Sequence, residues 1–270
     1  MRTDLSSLLL TRRELRFVTR GMVRLGLVGA LVVGGWLSPL SPGPMMHAGD
    51  LAASGQIDAA IDVYLHSAHS HLLPSTRREA LWAAASLASV DTTRPQRAID
   101  LLRDFVLQHP GQAETAQASA RLGTLYLLYQ HDPVRAAEAW GQAVATAPQD
   151  PQAGQWLLDA GLALADAGLS EQALTQLQRA TEHPAQAFAA SFAMGRLTMT
   201  VDPALAYGHY SAAARAATDG SDQNLARLGA ASALEALDRV DQAVAELSAV
   251  ETDEPGVQRR RARLLAIDTP

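Results

Sequence analysis

Small and large apolar residues return along this chain at a nearly constant interval. Ala60, Ala98, Ala136, Ala173, Ala206 and Ala243 are separated by 38, 38, 37, 33 and 37 residues. Four places after each stands a large apolar residue: Tyr64, Leu102, Trp140, Leu177, Tyr210 and Leu247. Residues at i and i+4 share one face of a helix. A unit of thirty-odd residues repeated in this way is a helical hairpin that buries its apolar face only by stacking on its neighbours. The pattern predicts an all-α solenoid of six hairpins with almost no strand.

The unit at 154–187 is the clearest. Leu157, Ala160, Gly161 and Leu164 mark one stripe of a leading helix, and Gly168 ends it as a left-handed residue. Ser170 is placed to cap the second helix, with Glu171 in its first turn. Ala173, Leu177 and Ala180 then share the inner side, and Gly161 is expected to meet Ala173 where the helices cross. Asp132-Pro133 and Asp202-Pro203 each set a capping oxygen before a proline at the first helical position, and Thr93-Arg94-Pro95 is a looser version. Longer turns at Asp91–Gln96 and His131–Val134 are expected to absorb the residues beyond the shortest repeat.

This pattern resembles the tetratricopeptide repeat (TPR). Leu122, Gly123 and Tyr126 match its Leu-Gly-x-x-Tyr; Trp82 falls at its helix-A aromatic position. Trp140, Ala143 and Pro148 match its second helix and terminator, as Pro110 does one unit earlier. Gly55, Ala60 and Tyr64 mark the first unit, and Gly195 and Gly229 the leading helices of the last two. Phe105 and Val250 depart from the family by replacing a small residue of the second helix. The resemblance covers about residues 43–256 and implies a right-handed α-solenoid of TPR-like hairpins at approximately 43–74, 79–112, 117–150, 154–187, 188–220 and 222–256. Residues 257–270 read as a C-terminal capping helix. Val257, Leu264 and Leu265 are expected to cover the last unit, with Arg259, Arg260, Arg261 and Arg263 outward.

Charge divides the chain sharply. Residues 1–24 carry a net +4, so residues 25–270 carry −10 of the overall −6. The acidic body argues against nucleic-acid binding. There is no cysteine, which excludes disulfides and thiolate metal sites, and every cation is an arginine. From Leu25 to Met46 no residue is charged. Residues 25–42 are expected to form an apolar helix, a transmembrane anchor or signal segment, behind a basic cytoplasmic tail at 1–24. An uncleaved anchor, ordinary signal cleavage near Ala48, and twin-arginine export through Arg12-Arg13 compete. The repeat register favours the anchor, because the first leading helix should occupy about 44–54 and cleavage after Ala48 would cut it. The expected location is a single-pass inner-membrane protein with its repeats in the periplasm. The alternative is a secreted or periplasmic protein after cleavage.

Chemistry-bearing clusters are sparse. His66, His69 and His71 are weak metal candidates, with His66 and His69 at i, i+3 but no acidic residue to complete a set. There is no HExxH, phosphate loop or nucleophile elbow, so no enzyme activity, cofactor or catalytic residue is expected. In tetratricopeptide proteins the leading helices line a groove. That resemblance implies groove residues Leu87, Asp91, Thr124, Leu128, Leu162, Asp166, Arg196, Met199 and Glu235. Their mixture of apolar and charged types suits a peptide or helical segment of a protein partner. With no lysine, the family's clamp for acidic tails is disfavoured. The expected role is a non-enzymatic interaction scaffold or adaptor of the bacterial cell envelope, its oligomeric state open. The alternatives are a regulatory subunit of an envelope enzyme complex and an exported soluble repeat protein.

Overall fold

The computed structural model describes residues 42–70, 73–250 and 255–267. The basic tail and the anchor or signal segment expected at 1–24 and 25–42 lie outside the described residues, apart from Pro42, as does His71. Among the described residues there are thirteen α-helices and no strand. None of these helices is long and apolar enough to cross a membrane.

The chain divides between Thr92 and Thr93 into two compact units, inside the second expected hairpin. The first unit holds α1 (Pro42–Ala53), α2 (Ile57–Ser70) and α3 (Pro74–Ala88). Here α1 packs on α2 and α2 on α3. Ala60 and Ile61 of α2 are buried, as are Ala80, Ala84 and Ala85 of α3. Tyr64 is only half-buried, and burial pushes its phenol pKa up.

The second unit holds α4 (Pro95–Gln108), α5 (Ala113–Leu125), α6 (Pro133–Thr146), α7 (Ala153–Asp166) and α8 (Ser170–Ala180). It continues with α9 (Ala187–Thr198), α10 (Pro203–Ala216), α11 (Gly220–Ala236), α12 (Val240–Ser248) and α13 (Pro255–Ile267). Within it each helix packs on the next in sequence. The leading helices also touch their like in the following hairpin, α7 with α9 and α9 with α11.

All six repeat alanines are fully buried, and Leu102, Trp140, Leu177, Tyr210 and Leu247 four places on are buried. The tight crossing differs from the expected Gly161–Ala173 contact. A Cβ on Gly161 would lie 2.6 Å from Cγ of Leu177, one on Gly123 2.7 Å from the Trp140 indole, and one on Gly195 2.8 Å from the Tyr210 ring. In the third, fourth and fifth hairpins the glycine of the leading helix is thus a hole for the large residue of the second helix. The alanine is small because it sits one turn away on the same closed surface. Tyr210 is held from both sides, since a Cβ on Gly229 would also meet its ring at 2.6 Å. Phe105 takes a place held by alanine in the third, fourth and fifth hairpins and is still fully buried, with its ring centroid 5.0 Å from that of His109.

Helix ends follow local chemistry. Asp132 and Asp202 accept from the backbone N–H of Arg135 and Leu205, at 2.9 and 3.0 Å, ahead of their prolines. Ser170 is the first helical residue of α8 rather than its cap; the cap position is Leu169, which offers no side-chain acceptor. Arg94 likewise caps α4 without a side-chain bond. Gly55, His131, Gly168 and Asp238 all have positive φ, and each stands five residues before its repeat alanine. This is one left-handed turn position, filled by glycine in two hairpins and by other residues in two. In the third hairpin the extra residue is not taken up in the turn after His131. It is absorbed at the end of α5, where Tyr126–Gln130 is a π-helical turn. Arg135 braces that turn: Nε lies 2.7 Å from Asp132, Nη1 donates to Gln130 at 3.3 Å, and the guanidinium stands 5.7 Å from the Tyr126 ring centre.

Candidate functional site

Helix α7 has few outward residues. Its buried set includes Trp156, Leu157, Leu158, Ala160, Gly161, Ala163 and Leu164. What remains, besides Ala165, is a stripe at i, i+4, i+7 and i+11: Gln155, Asp159, Leu162 and Asp166. Helix α5 and its π-helical turn repeat the stripe 38 residues earlier as Gln117, Arg121, Thr124 and Leu128. On α9 and the turn after it the corresponding places are Ala189, Ala193, Arg196 and Thr200; on α11 they are Leu225, Gly229, Ser232 and Ala236. Helix α9 touches both α7 and α11, so the stripes of these three helices lie side by side in the second unit.

The residues expected in a groove distribute unevenly. Thr124, Leu128, Leu162, Asp166 and Arg196 all lie on the stripes, and Leu128 is 48% exposed. Leu87 does not: it is buried in the first unit at 8% exposure, so no ligand reaches it. The equivalent stripe on α3 and its C-terminal turn runs one residue earlier, through Glu79, Ala83, Ser86 and Val90, because the repeat between these hairpins is 38 residues rather than the 37 that pairs Leu87 with Thr124. Asp91 lies in the turn beyond α3 and is half-buried. Met199 packs against the Tyr210 cluster as a satellite of the core. Glu235 is already engaged. Arg260 of α13 donates from Nε to its Oε1 at 2.6 Å and from Nη2 to Ser232 Oγ at 2.9 Å, and Arg263 lies 3.8 Å from Oε2. Arg260 therefore faces inward, contrary to the outward position expected for it. Val257 and Leu264 cover the last hairpin as expected, whereas Leu265 is 49% exposed.

Sequence reasoning missed two charged residues of the stripes, Arg121 and Asp159. The i, i+3 spacing to Leu162 and Thr124 would have found them. Both are desolvated. Burial lowers the Arg121 pKa from its ordinary value. Burial raises the Asp159 carboxyl to about 6, against a smaller opposing effect of the bond from Gln155. Gln155 Nε2 donates that bond to Asp159 at 2.8 Å. Among the described residues no arginine pairs with Asp159.

His66 and His69 are both exposed on α2. Among the described residues no group of three histidines, cysteines or carboxylates is placed to hold a metal. A separate cleft of about 580 Å³ lies among α10, α11 and α12, lined by Tyr207, Ser211, Arg215, Gln223, Arg227 and Glu246. Its Arg227 is stapled to the carbonyl of Ala249 at 3.0 Å.

The chain resembles several solved helical-repeat proteins. No family model matches it, and no curated protein does. YrrB, described as a TPR protein with an unusual peptide-binding site, is 18% identical over 82% of this chain and 97% of its own, with a TM-score of 0.48. PilF of Pseudomonas aeruginosa is 13% identical over 82% of this chain and 96% of its own, TM-score 0.46. MamA is 16% identical over 72% of this chain and 96% of its own, TM-score 0.45. Nothing about function follows from likenesses of this size, and function has to be read from this chain's own residues.

Proposed function

We propose that this chain is a non-enzymatic TPR-type scaffold of the bacterial cell envelope, holding a peptide or helical segment of a partner protein along the face formed by α5, α7, α9 and α11. The observation that carries the reading is the shared stripe. Arg121 on α5, Asp159 and Asp166 on α7 and Arg196 on α9 stand among apolar and small residues at repeated places, and Leu225 and Ser232 continue the row on α11, while nearly everything else on α7 is closed. Partner segments bind such faces by seating a few side chains between rows. Site-specific photo-crosslinking tests it. A crosslinker at Leu162 or Arg196 is expected to capture partner protein, and one at Leu107, which is 72% exposed on α4, is not. Capture from Leu107 alone would overturn the reading.

The proposed location is the periplasmic side of the inner membrane, with residues 25–42 as an uncleaved anchor and 1–24 in the cytoplasm. Support comes from α1, which begins at Pro42 and runs through the buried Ala48. Cleavage after Ala48 would sever that helix and expose part of the α1–α2 packing. Anchoring near a membrane complex raises the local concentration of the scaffold for its partners. Carbonate washing of membranes is expected to leave the full-length protein in the pellet; its release would remove the anchor from the proposal.

A further inference from the structure

We propose that Asp159 is the seat for a cationic side chain, an arginine or lysine, carried by the partner segment at one fixed place. This rests on the reading of the α5–α11 face as the partner site. Asp159 lies mid-way along that face. Its carboxylate is half-buried and accepts from Gln155, and among the described residues no arginine is paired to it. A carboxylate held in this way is costly to the free protein unless a cation arrives to neutralise it.

The chain's own last helix shows how the face receives a guanidinium. Arg260 lies across α11, donating to Ser232 and to the half-buried Glu235. Ser232 occupies on α11 the place that Leu162 occupies on α7. In the fourth hairpin the carboxylate comes from one turn before that place rather than one turn after. Leu162 supplies an apolar surface for the methylene stem of the incoming residue. The neighbouring rows set limits on it. Arg121 stands on α5 at the place of Asp159, and Arg196 on α9 at the place of Leu162, so like charge disfavours a partner's cation on these rows and holds it to the fourth hairpin. The net charge of −10 on residues 25–270 draws such a partner in.

A random peptide library panned on the full-length protein and on its Asp159→Asn variant tests this. Peptides enriched on the wild type are expected to carry arginine or lysine at one fixed position. They should bind about tenfold tighter than their citrulline-substituted counterparts and lose that ratio on Asp159→Asn. The variant, relieved of a desolvated charge, is expected to melt no lower than wild type, so a folding defect would not explain the loss. Backbone amide shifts report where the peptides sit. Peptides that perturb Leu162 and Arg196 but bind equally with arginine or citrulline overturn the cation seat and leave the face standing. Peptides that perturb neither, or no enrichment at all, overturn the face and the seat together. An Asp159 carboxyl resonance already ion-paired in the free full-length protein and unmoved by every peptide assigns the seat to the chain's own arginine-rich N-terminal segment, and overturns the partner proposal.

Discussion

The fourth and sixth hairpins are built on one plan and use it differently. In the fourth, Gly161 makes a hole for Leu177, Gly168 turns the chain, and Asp159 faces outward without a cation. In the sixth, Ala231 stands where Gly161 would, Asp238 takes the left-handed turn, and Glu235 is closed over by Arg260 of α13. The sixth hairpin spends its groove side on its own cap, which a terminal repeat needs to end the stack. The fourth leaves that side for something else. A carboxylate on this face is therefore structural or available according to whether the chain supplies the cation.

The largest expected effect tests the packing side of the comparison. Gly161→Leu forces a side chain into space already filled by Leu177, where even a Cβ would stand 3.2 Å from the backbone nitrogen. It is expected to cost about 3 kcal/mol of stability. The reciprocal change in the sixth hairpin, Ala231→Gly, overfills nothing and is expected to cost about 1 kcal/mol through lost helix propensity. Denaturant melts of both variants measure this, and equal losses would mean that the two crossings are packed alike.

Next in size is the pair of carboxylates, where opposite signs are expected. The Asp159 carboxyl titrates near 6 in the folded protein and near 3.9 when unfolded. Between those values the folded state binds more protons, so stability falls as pH rises from about 4 to about 6 and stays lower above. Asp159→Asn removes this loss. It is expected to stabilise by about 2 kcal/mol at pH 8 and to change little at pH 3. Glu235→Gln instead breaks a half-buried, charge-assisted pair and is expected to destabilise by about 1 kcal/mol at pH 8. Thermal melts at both pH values decide it, and a stabilising Glu235→Gln would erase the distinction between the hairpins.

The ends of the two leading helices differ as well. Asp219 accepts from the Asp222 N–H at 2.8 Å to cap α11, whereas α7 has Gln152 at its cap and no side-chain bond. Asp219→Ala is expected to cost about 1 kcal/mol, and Gln152→Ala nothing measurable, by the same melts.

The repeating alanines and their i+4 partners made the hairpins legible in the sequence, because the alanines are buried in every hairpin and their partners in every hairpin but the first, where Tyr64 is half-buried. The start of the first leading helix, the aspartate caps of α6 and α10 and the turn at Gly168 could be read for the same reason: each is a local rule written within a few residues. What could not be read depends on register between hairpins. Leu87 was misplaced by a single residue, which on a helix is a rotation of about 100° and enough to move a side chain from surface to core. The π-helical turn at Tyr126–Gln130 is signalled only by the longer Gly123-to-Ala136 interval, and sequence spacing does not say whether a helix or a loop takes up the residue. Asp159 and Arg121 were passed over because a charged residue on a helix is ordinarily solvated, and their desolvation arises from neighbouring helices. The inward turn of Arg260 has the same origin, for nothing in a run of arginines says which one meets Glu235 across the fold.

The smallest expected effect concerns the turn. Gly168 and Asp238 occupy the same place with φ of 76° and 58°. A Cβ at that φ strains the backbone, though aspartate tolerates it better than most residues. Asp238→Gly is expected to stabilise the sixth hairpin by about 0.5 kcal/mol, the relieved strain being partly offset by the greater freedom of glycine in the unfolded chain. Gly168→Asp is expected to cost about 1 kcal/mol, because the fourth hairpin's more positive φ suits a side chain less well. Hydrogen exchange of the amides flanking each turn resolves changes of this size locally. The Leu169 amide, bonded to the Leu164 carbonyl at 2.9 Å, and the Arg239 amide, bonded to the Leu234 carbonyl at 2.9 Å, are the matched reporters. If Asp238→Gly slows exchange at Arg239 while Gly168→Asp speeds it at Leu169, the two turns are one device. An Asp238→Gly variant that exchanges faster would instead mean that the aspartate side chain itself holds the sixth turn.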